Sequence, residues 1–212
     1  MGTLAIIDYG MGNLRSLRNA FARVGVAPTL ITEGREVEAF SHIVVPGVGA
    51  FGAAMDNLRT RGFVEPLRAH VEAGRPLLGI CLGMQLLATI GTEFGEHAGL
   101  GLVPGRVDAL PASAEYPTPH VGWNSLKHIV RHPVMERSKA AADYYFVHSF
   151  AFRVDAPTHR VATADYGTVF DAVVARGSAL GVQFHPEKSH TGGLRILETF
   201  SEWDGSAGPA WS

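Results

Sequence analysis

The chain reads as an α/β fold, a mostly parallel central sheet carrying an antiparallel β-rich extension. Three observations lead there. Short apolar runs alternate with helical patterns through residue 89, an order that favours parallel strands covered on both faces. Two of those runs end in glycine-rich turns that open helices, at residues 9–13 and 46–49. Beyond residue 105 the segments become short and β-rich, with turn residues between them.

Residues 3–8 (T-L-A-I-I-D) form the first buried strand, and residues 9–13 its turn. From Leu14 to Val24, apolar residues at 14, 17, 20, 21 and 24 follow helical spacing. Residues 28–31 and 42–45 are the next two strands. Helical patterns cover 50–61 and 63–73, with Gly74 as a stop signal. Residues 76–80 make a fourth strand that runs into a helix over 82–89. Short strands follow at 105–110, 120–126, 144–152, 160–164, 169–176 and 179–184, and Arg176-Gly177-Ser178 marks a hairpin turn. A last amphipathic helix spans 193–203. With no repeat and no linker, residues 1–203 are expected to form one domain, and 204–212 a flexible tail.

Composition removes several classes of function. The 212 residues are 46% hydrophobic, enough for a substantial core. Net charge is −2 and the Arg and Lys residues are scattered, so no basic field recruits nucleic acid. The longest apolar stretches, such as 76–82, fall well short of the ~20 residues that span a bilayer. The N-terminus shows no basic region or cleavage site. One cysteine, Cys81, excludes an internal disulfide and a thiolate-rich zinc site, and the cytoplasm is the expected location. The turn after the first strand lacks the third glycine of a dinucleotide fingerprint, because Arg15 stands there, and no phosphate-binding loop motif exists. The ten histidines include no H-E-x-x-H pair, and His120, His128 and His132 lack metal spacing. No cofactor or metal is expected; His148 is a structural or site-lining residue.

A lone cysteine is ordinarily a small buried hydrophobe. Its context here says otherwise. Gly79-Ile80-Cys81-Leu82-Gly83 sits between an apolar strand and a helix, the strand–turn–helix setting of a nucleophile elbow. Such a turn aims the sulfur outward at the carboxyl end of the sheet and sets it at a helix N-terminus, which favours thiolate. The Leu82 N–H then points toward a developing oxyanion. A nucleophilic Cys needs a base, and the base an orienting group. Gly181-Val182-Gln183-Phe184-His185-Pro186-Glu187 offers both at a strand end. His185 and Glu187, two residues apart, project from the same side of an extended chain, and Pro186 stiffens the link. Alone, His-Pro-Glu would be a surface turn; together with the elbow it completes a nucleophile–base–acid set.

The elbow and the strand-end His-Pro-Glu resemble those of the class I, triad-type glutamine amidotransferases. Four further segments resemble one family among them, the glutaminase subunits of imidazole glycerol phosphate synthase. They are residues 7–16 (I-D-Y-G-M-G-N-L-R-S), 46–51 (P-G-V-G-A-F), 119–124 (P-H-V-G-W-N) and 144–149 (Y-Y-F-V-H-S). The resemblance runs from Thr3 to about Phe200. It implies a flavodoxin-like three-layer sandwich and hydrolysis of glutamine to glutamate and ammonia by Cys81, His185 and Glu187. It implies an oxyanion hole from Leu82 and Val48, the latter through a flip of the Gly47–Val48 peptide. Gly49, Gly83, Gln85, Ser149 and Phe150 match positions that hold glutamine. Asn13, Trp123 and Lys188 match the face that docks a (βα)₈ cyclase subunit, which uses the ammonia in histidine biosynthesis. Their plain alternatives are a turn cap, a core aromatic and a solvated lysine. Two rival functions remain: the amidotransferase subunit of anthranilate or aminodeoxychorismate synthesis, and a non-catalytic regulatory module on the same fold. The segments at 9–13 and 120–124 count against the first, the intact triad against the second.

Overall fold

The computed structural model describes residues 2–128, 130–138 and 143–206. Its first strand, β1 (Leu4–Ile7), is buried along its whole length. Side chains alternate along a strand, so Leu4 and Ile6 enter one apolar cluster while Ala5 and Ile7 enter another. A four-residue run therefore feeds two cores, which is why it reads as uninterrupted hydrophobic sequence. Helix α1 (Leu14–Arg23) follows, burying Leu17, Ala20 and Phe21 on the first core. Strands β2 (Thr29–Ile31) and β3 (His42–Val45) flank β1, both in parallel. Helices α2 (Phe51–Thr60) and α3 (Val64–Glu72) cover the opposite face with Met55, Leu58 and Leu67. Strand β4 (Leu77–Ile80) lies parallel to β3 and leads into α4 (Leu82–Gln85).

The second half extends this sheet. It comprises β5 (Ile90–Gly91), β6 (His97–Ala98), β7 (Gly105–Ala109), β8 (His120–Ser125) and β9 (Lys127–His128). Then come β10 (Asp143–His148), β11 (Phe150–Val154), β12 (Arg160–Asp165), β13 (Val169–Arg176) and β14 (Ala179–Val182). Strand β14 returns beside β4 in parallel, so the main sheet runs β2-β1-β3-β4-β14-β13-β11-β7-β5-β6, with β12 and β9 branching from β13. The pairings of β13 with β14, β11 and β12 are antiparallel. Strands β8 and β10 form a separate antiparallel pair. Helix α5 (His190–Glu202) packs with α1 on the first core through Ile196, Leu197 and Phe200. The expected mostly parallel sheet with an antiparallel extension is the one observed, and the two-residue turn at Gly177-Ser178 closes the β13–β14 hairpin. Among the described residues no helix is long and apolar enough to cross a membrane.

Several boundaries differ from expectation. The helix expected over 82–89 stops at Gln85. The carbonyls of Leu86, Leu87 and Ala88 accept from Leu100, Val103 and Gly101 instead, so tertiary pairing takes over the groups that further helical turns would use. The strand expected over 144–152 breaks at Ser149 into β10 and β11, which join different sheets. The final helix begins at His190 rather than 193. At the start of the expected tail, Trp203 Nε1 donates to the Ser206 carbonyl at 2.8 Å, and Asp204 Oδ1 accepts from both the N–H and the hydroxyl of Ser206. Residues 207–212 lie outside the described residues.

Candidate active site

Strand β4 delivers Cys81 to the carboxyl edge of the sheet. There its backbone adopts φ 55° and ψ −113°, a left-handed φ that costs a non-glycine residue energy. Hydrogen bonds hold it in place. Its N–H donates to Val182 O at 2.8 Å, and its carbonyl accepts from Met84 N–H at 3.0 Å and Gln85 N–H at 3.2 Å. The flanking glycines are required by space. A Cβ on Gly79 would stand 2.5 Å from Gly83 O, and one on Gly83 only 1.8 Å from Val45 O. The four residues of α4 make a weaker dipole than the eight-residue helix expected from sequence. What remains is local: among the described residues the Leu82 N–H has no backbone acceptor.

His185 and Glu187 meet by a different route from the one expected. Strand β14 ends at Val182, and Pro186–Lys188 form a 3-10 turn that begins after His185. The turn, not an extended chain, brings the side chains together. His185 Nδ1 stands 2.8 Å from Glu187 Oε1, and both side chains are 4% exposed. Ser189 Oγ donates to the His185 carbonyl at 2.6 Å, and His185 N–H donates to Tyr145 O at 2.9 Å. Burial opposes a charge on the imidazole, but the neighbouring Cys81 and Glu187 outweigh it and raise the His185 pKa to about 9. Its Nε2 is buried without an aligned hydrogen-bond partner. The Cys81 sulfur beside it rests instead 3.8 Å from the Val147 carbonyl.

A cavity of about 260 Å³ opens over the sulfur and is lined by Cys81, His185, Val48, Gly49, Leu82, Gln85, Ser149 and Phe150. The break between β10 and β11 supplies Ser149 and Phe150 to it. Gly83, expected at the substrate, does not line the cavity; it packs behind the elbow against Val45. His148 does line it. Burial lowers its pKa to about 4 despite a hydrogen bond to Phe150 O, so it is neutral, with Nδ1 on that carbonyl and Nε2 on His120 Nδ1.

Sequence reasoning missed three residues here. Glu93 lines the cavity and accepts the Phe51 N–H at 2.8 Å; nothing in its local sequence separates it from a solvated carboxylate. Tyr9, fully buried, donates its hydroxyl to Pro46 O at 2.7 Å, and burial pushes its pKa up. Gln183 is also fully buried, with Nε2 3.9 Å from the Cys81 sulfur. A polar residue within an apolar run was its one visible signal.

The three residues expected at a docking face stand apart from the cavity. Asn13 caps α1, its Oδ1 accepting the Ser16 N–H at 3.3 Å, so the turn-cap reading holds at least in part. Trp123 is 46% exposed, stacked on His190 and edge-on to Tyr145, which excludes a core aromatic. Lys188 is exposed with Nζ 5.4 Å from the centre of the Tyr145 ring. Trp123 and Lys188 thus share one aromatic platform, and α1 packs beside the turn that carries Lys188.

Known proteins are similar to this chain at two levels. Residues 5–202 match the family described as glutamine amidotransferase class-I. A crystal structure described as glutamine amidotransferase superposes with TM-score 0.74 at 23% identity, covering 95% of this chain and 98% of that one. PurLQS from Thermotoga maritima also gives 0.74, at 16% identity over 95% and 99%. Those two likenesses concern the fold. The chain belongs to the class I glutamine amidotransferases. Its similarity to proteins named imidazole glycerol phosphate synthase subunit HisH is far greater: 45% identity to that of Syntrophotalea carbinolica, over 94% of this chain and 99% of the relative. The Geobacter sulfurreducens protein of the same name is 44% identical over 95% and 99%. Within the class, the chain belongs to that HisH family.

Proposed function

We propose that this chain is the glutaminase of an imidazole glycerol phosphate synthase, hydrolysing glutamine to glutamate and ammonia with Cys81, His185 and Glu187. The Cys81 sulfur gives its proton to His185 Nε2 and attacks the side-chain amide carbon of glutamine. The oxyanion rests on the Leu82 N–H and, once its peptide is turned, the Val48 N–H. His185 returns the proton to the departing nitrogen, the C–N bond breaks, and a thioester remains. Water, deprotonated by His185, cleaves the thioester to glutamate and restores the thiol. Glu187 holds Nδ1 and stabilises the imidazolium.

The cavity chemistry suits this substrate. The Glu93 carboxylate is the anion for the α-ammonium group, and the Ser149–Phe150 backbone holds the other end of glutamine. Both N–H groups of Gln85 are committed, to Phe150 O and Gln183 Oε1, so it offers substrate an amide oxygen. The relatives named HisH are synthase subunits, and we place the ammonia acceptor on a (βα)₈ cyclase partner docked over Asn13, Trp123 and Lys188. We place the reaction in the cytoplasm, where a lone reactive thiol stays reduced. Residues 1–203 form one domain in this reading.

One observation carries the reading: a left-handed Cys81 shares a cavity with a buried His185–Glu187 pair. Cys81→Ala should abolish glutamate release, while its complex with the cyclase still forms product from added ammonium salt. Wild-type glutamate release by that variant overturns the proposal.

A further inference from the structure

We propose that Gln183 is a positioning residue for the nucleophile, donating a side-chain N–H to the Cys81 sulfur and favouring its ionised form; the proposal deepens the glutaminase reading and rests on it. Gln183 is wholly buried just beyond β14, and its own N–H is fixed to Ala172 O at 2.9 Å. Which end of its amide faces the sulfur follows from a chain of contacts. The Phe150 carbonyl can only accept, so the group facing it at 2.9 Å is the Gln85 nitrogen. The second N–H of that nitrogen reaches Gln183 at 3.0 Å, where it needs an acceptor, Oε1. Gln183 Nε2 is thereby left on the sulfur side, 3.9 Å from Sγ. A main-chain carbonyl in the cavity wall sets the direction of both amides.

The two contacts of the sulfur favour opposite protonation states. Val147 O, at 3.8 Å, accepts from the thiol and repels a thiolate. Gln183 Nε2 cannot accept; it can only donate, and its bond strengthens when the sulfur is charged. The separation of 3.9 Å leaves room for that bond to shorten. When the proton passes to His185 Nε2, the sulfur loses its hold on Val147 and gains one on Gln183. No bond other than S–H breaks in this step.

Because Cys81 is the sole thiol, iodoacetamide alkylation of the whole chain reads its ionisation with neither glutamine nor a partner present. Gln183→Met keeps the length and removes the donor. Its alkylation midpoint should rise by about one pH unit, with roughly tenfold slower reaction near neutrality. Gln183→Glu keeps the acceptor for Gln85 but sets a carboxylate against the sulfur, and its midpoint should rise further. Circular dichroism and urea unfolding establish that each variant is folded before its profile is read. A wild-type pH profile in a folded variant overturns the proposal, since a merely structural Gln183 would leave thiol ionisation unmoved. The shifts appearing in a chain that never hydrolyses glutamine would sink the glutaminase reading and leave this ionisation control standing.

Discussion

Cys81 is only 6% exposed, and a buried thiol is inert unless its neighbours ionise it. His185 is the group whose charge makes that possible, and its pKa of about 9 has a consequence for stability. A folded-state pKa above the unfolded value of about 6.5 means stability that is fully present below pH 6.5 and lost as pH rises through 9. Glu187→Gln removes part of that shift. It should destabilise the chain by on the order of 2 kcal/mol near pH 6 and by much less above pH 9, as read from urea unfolding. A pH-independent cost would remove the charge pairing. The pair itself was legible in sequence because elbow and His-Pro-Glu each have a local pattern that chemistry demands. Glu93 and Gln183 were not, because their roles arise only when distant segments close on the cavity. Gly83 matches a substrate-binding position by resemblance, and a Cβ added there would meet Val45 O. Gly83→Ala should therefore cost about 1–3 kcal/mol in urea unfolding through the backbone collision, and wild-type stability would show that the elbow can move aside.

At the level of elements, periodicity located helices α1 to α5 and the longer strands but not β5, β6 or β9, and long-range hydrogen bonds set the ends that it misjudged. The 82–89 pattern is apolar enough for a helix, yet Leu86 to Ala88 give their carbonyls to the segment at 100–103. The Ser149 break has no glycine or proline to announce it. It exists because β10 pairs with β8 while β11 pairs with β7 and β13. The segment after β3 depends on a similar distant tie, the Tyr9 hydroxyl on Pro46 O. That bond anchors the chain immediately before Gly47 and Val48, where a Cβ on Gly47 would stand 2.6 Å from the same hydroxyl. Tyr9→Phe leaves a buried carbonyl unpaired at about 1–3 kcal/mol. If the tie positions the Val48 N–H for the oxyanion, kcat for glutamine should fall while KM holds. Equal losses in ammonium-dependent synthesis by the complex would mean the damage is general rather than local to this strand.

Across the whole molecule, two apolar clusters pack the sheet, yet several large apolar side chains stay exposed. Val48 is 45% exposed, and Val121 and Trp123 also stand out of the core. By resemblance the sequence places Trp123 and Lys188 on one docking face; in the structure both lie against the Tyr145 ring. Exposed aromatics beside cations are the residues from which interface hot spots are built. Val48 lines the cavity, and its peptide lies between the anchored Pro46 carbonyl and Gly49 at φ +103°. Among the described residues its N–H has no backbone acceptor, so little holds the peptide in one orientation. A partner that fixes it supplies an oxyanion donor, an effect of roughly 10²–10³ in rate. The isolated chain should therefore hydrolyse glutamine slowly, and cyclase with its nucleotide ligand should raise turnover by that margin. The rise should lie in kcat, because the donor acts on charge that develops only in the transition state. Trp123→Ala should weaken the complex by about 2 kcal/mol while leaving Cys81 alkylation by iodoacetamide unchanged, since docking and thiol ionisation use different residues. An isolated chain that already turns over at the rate of the complex would mean that the Val48 peptide is set before any partner arrives.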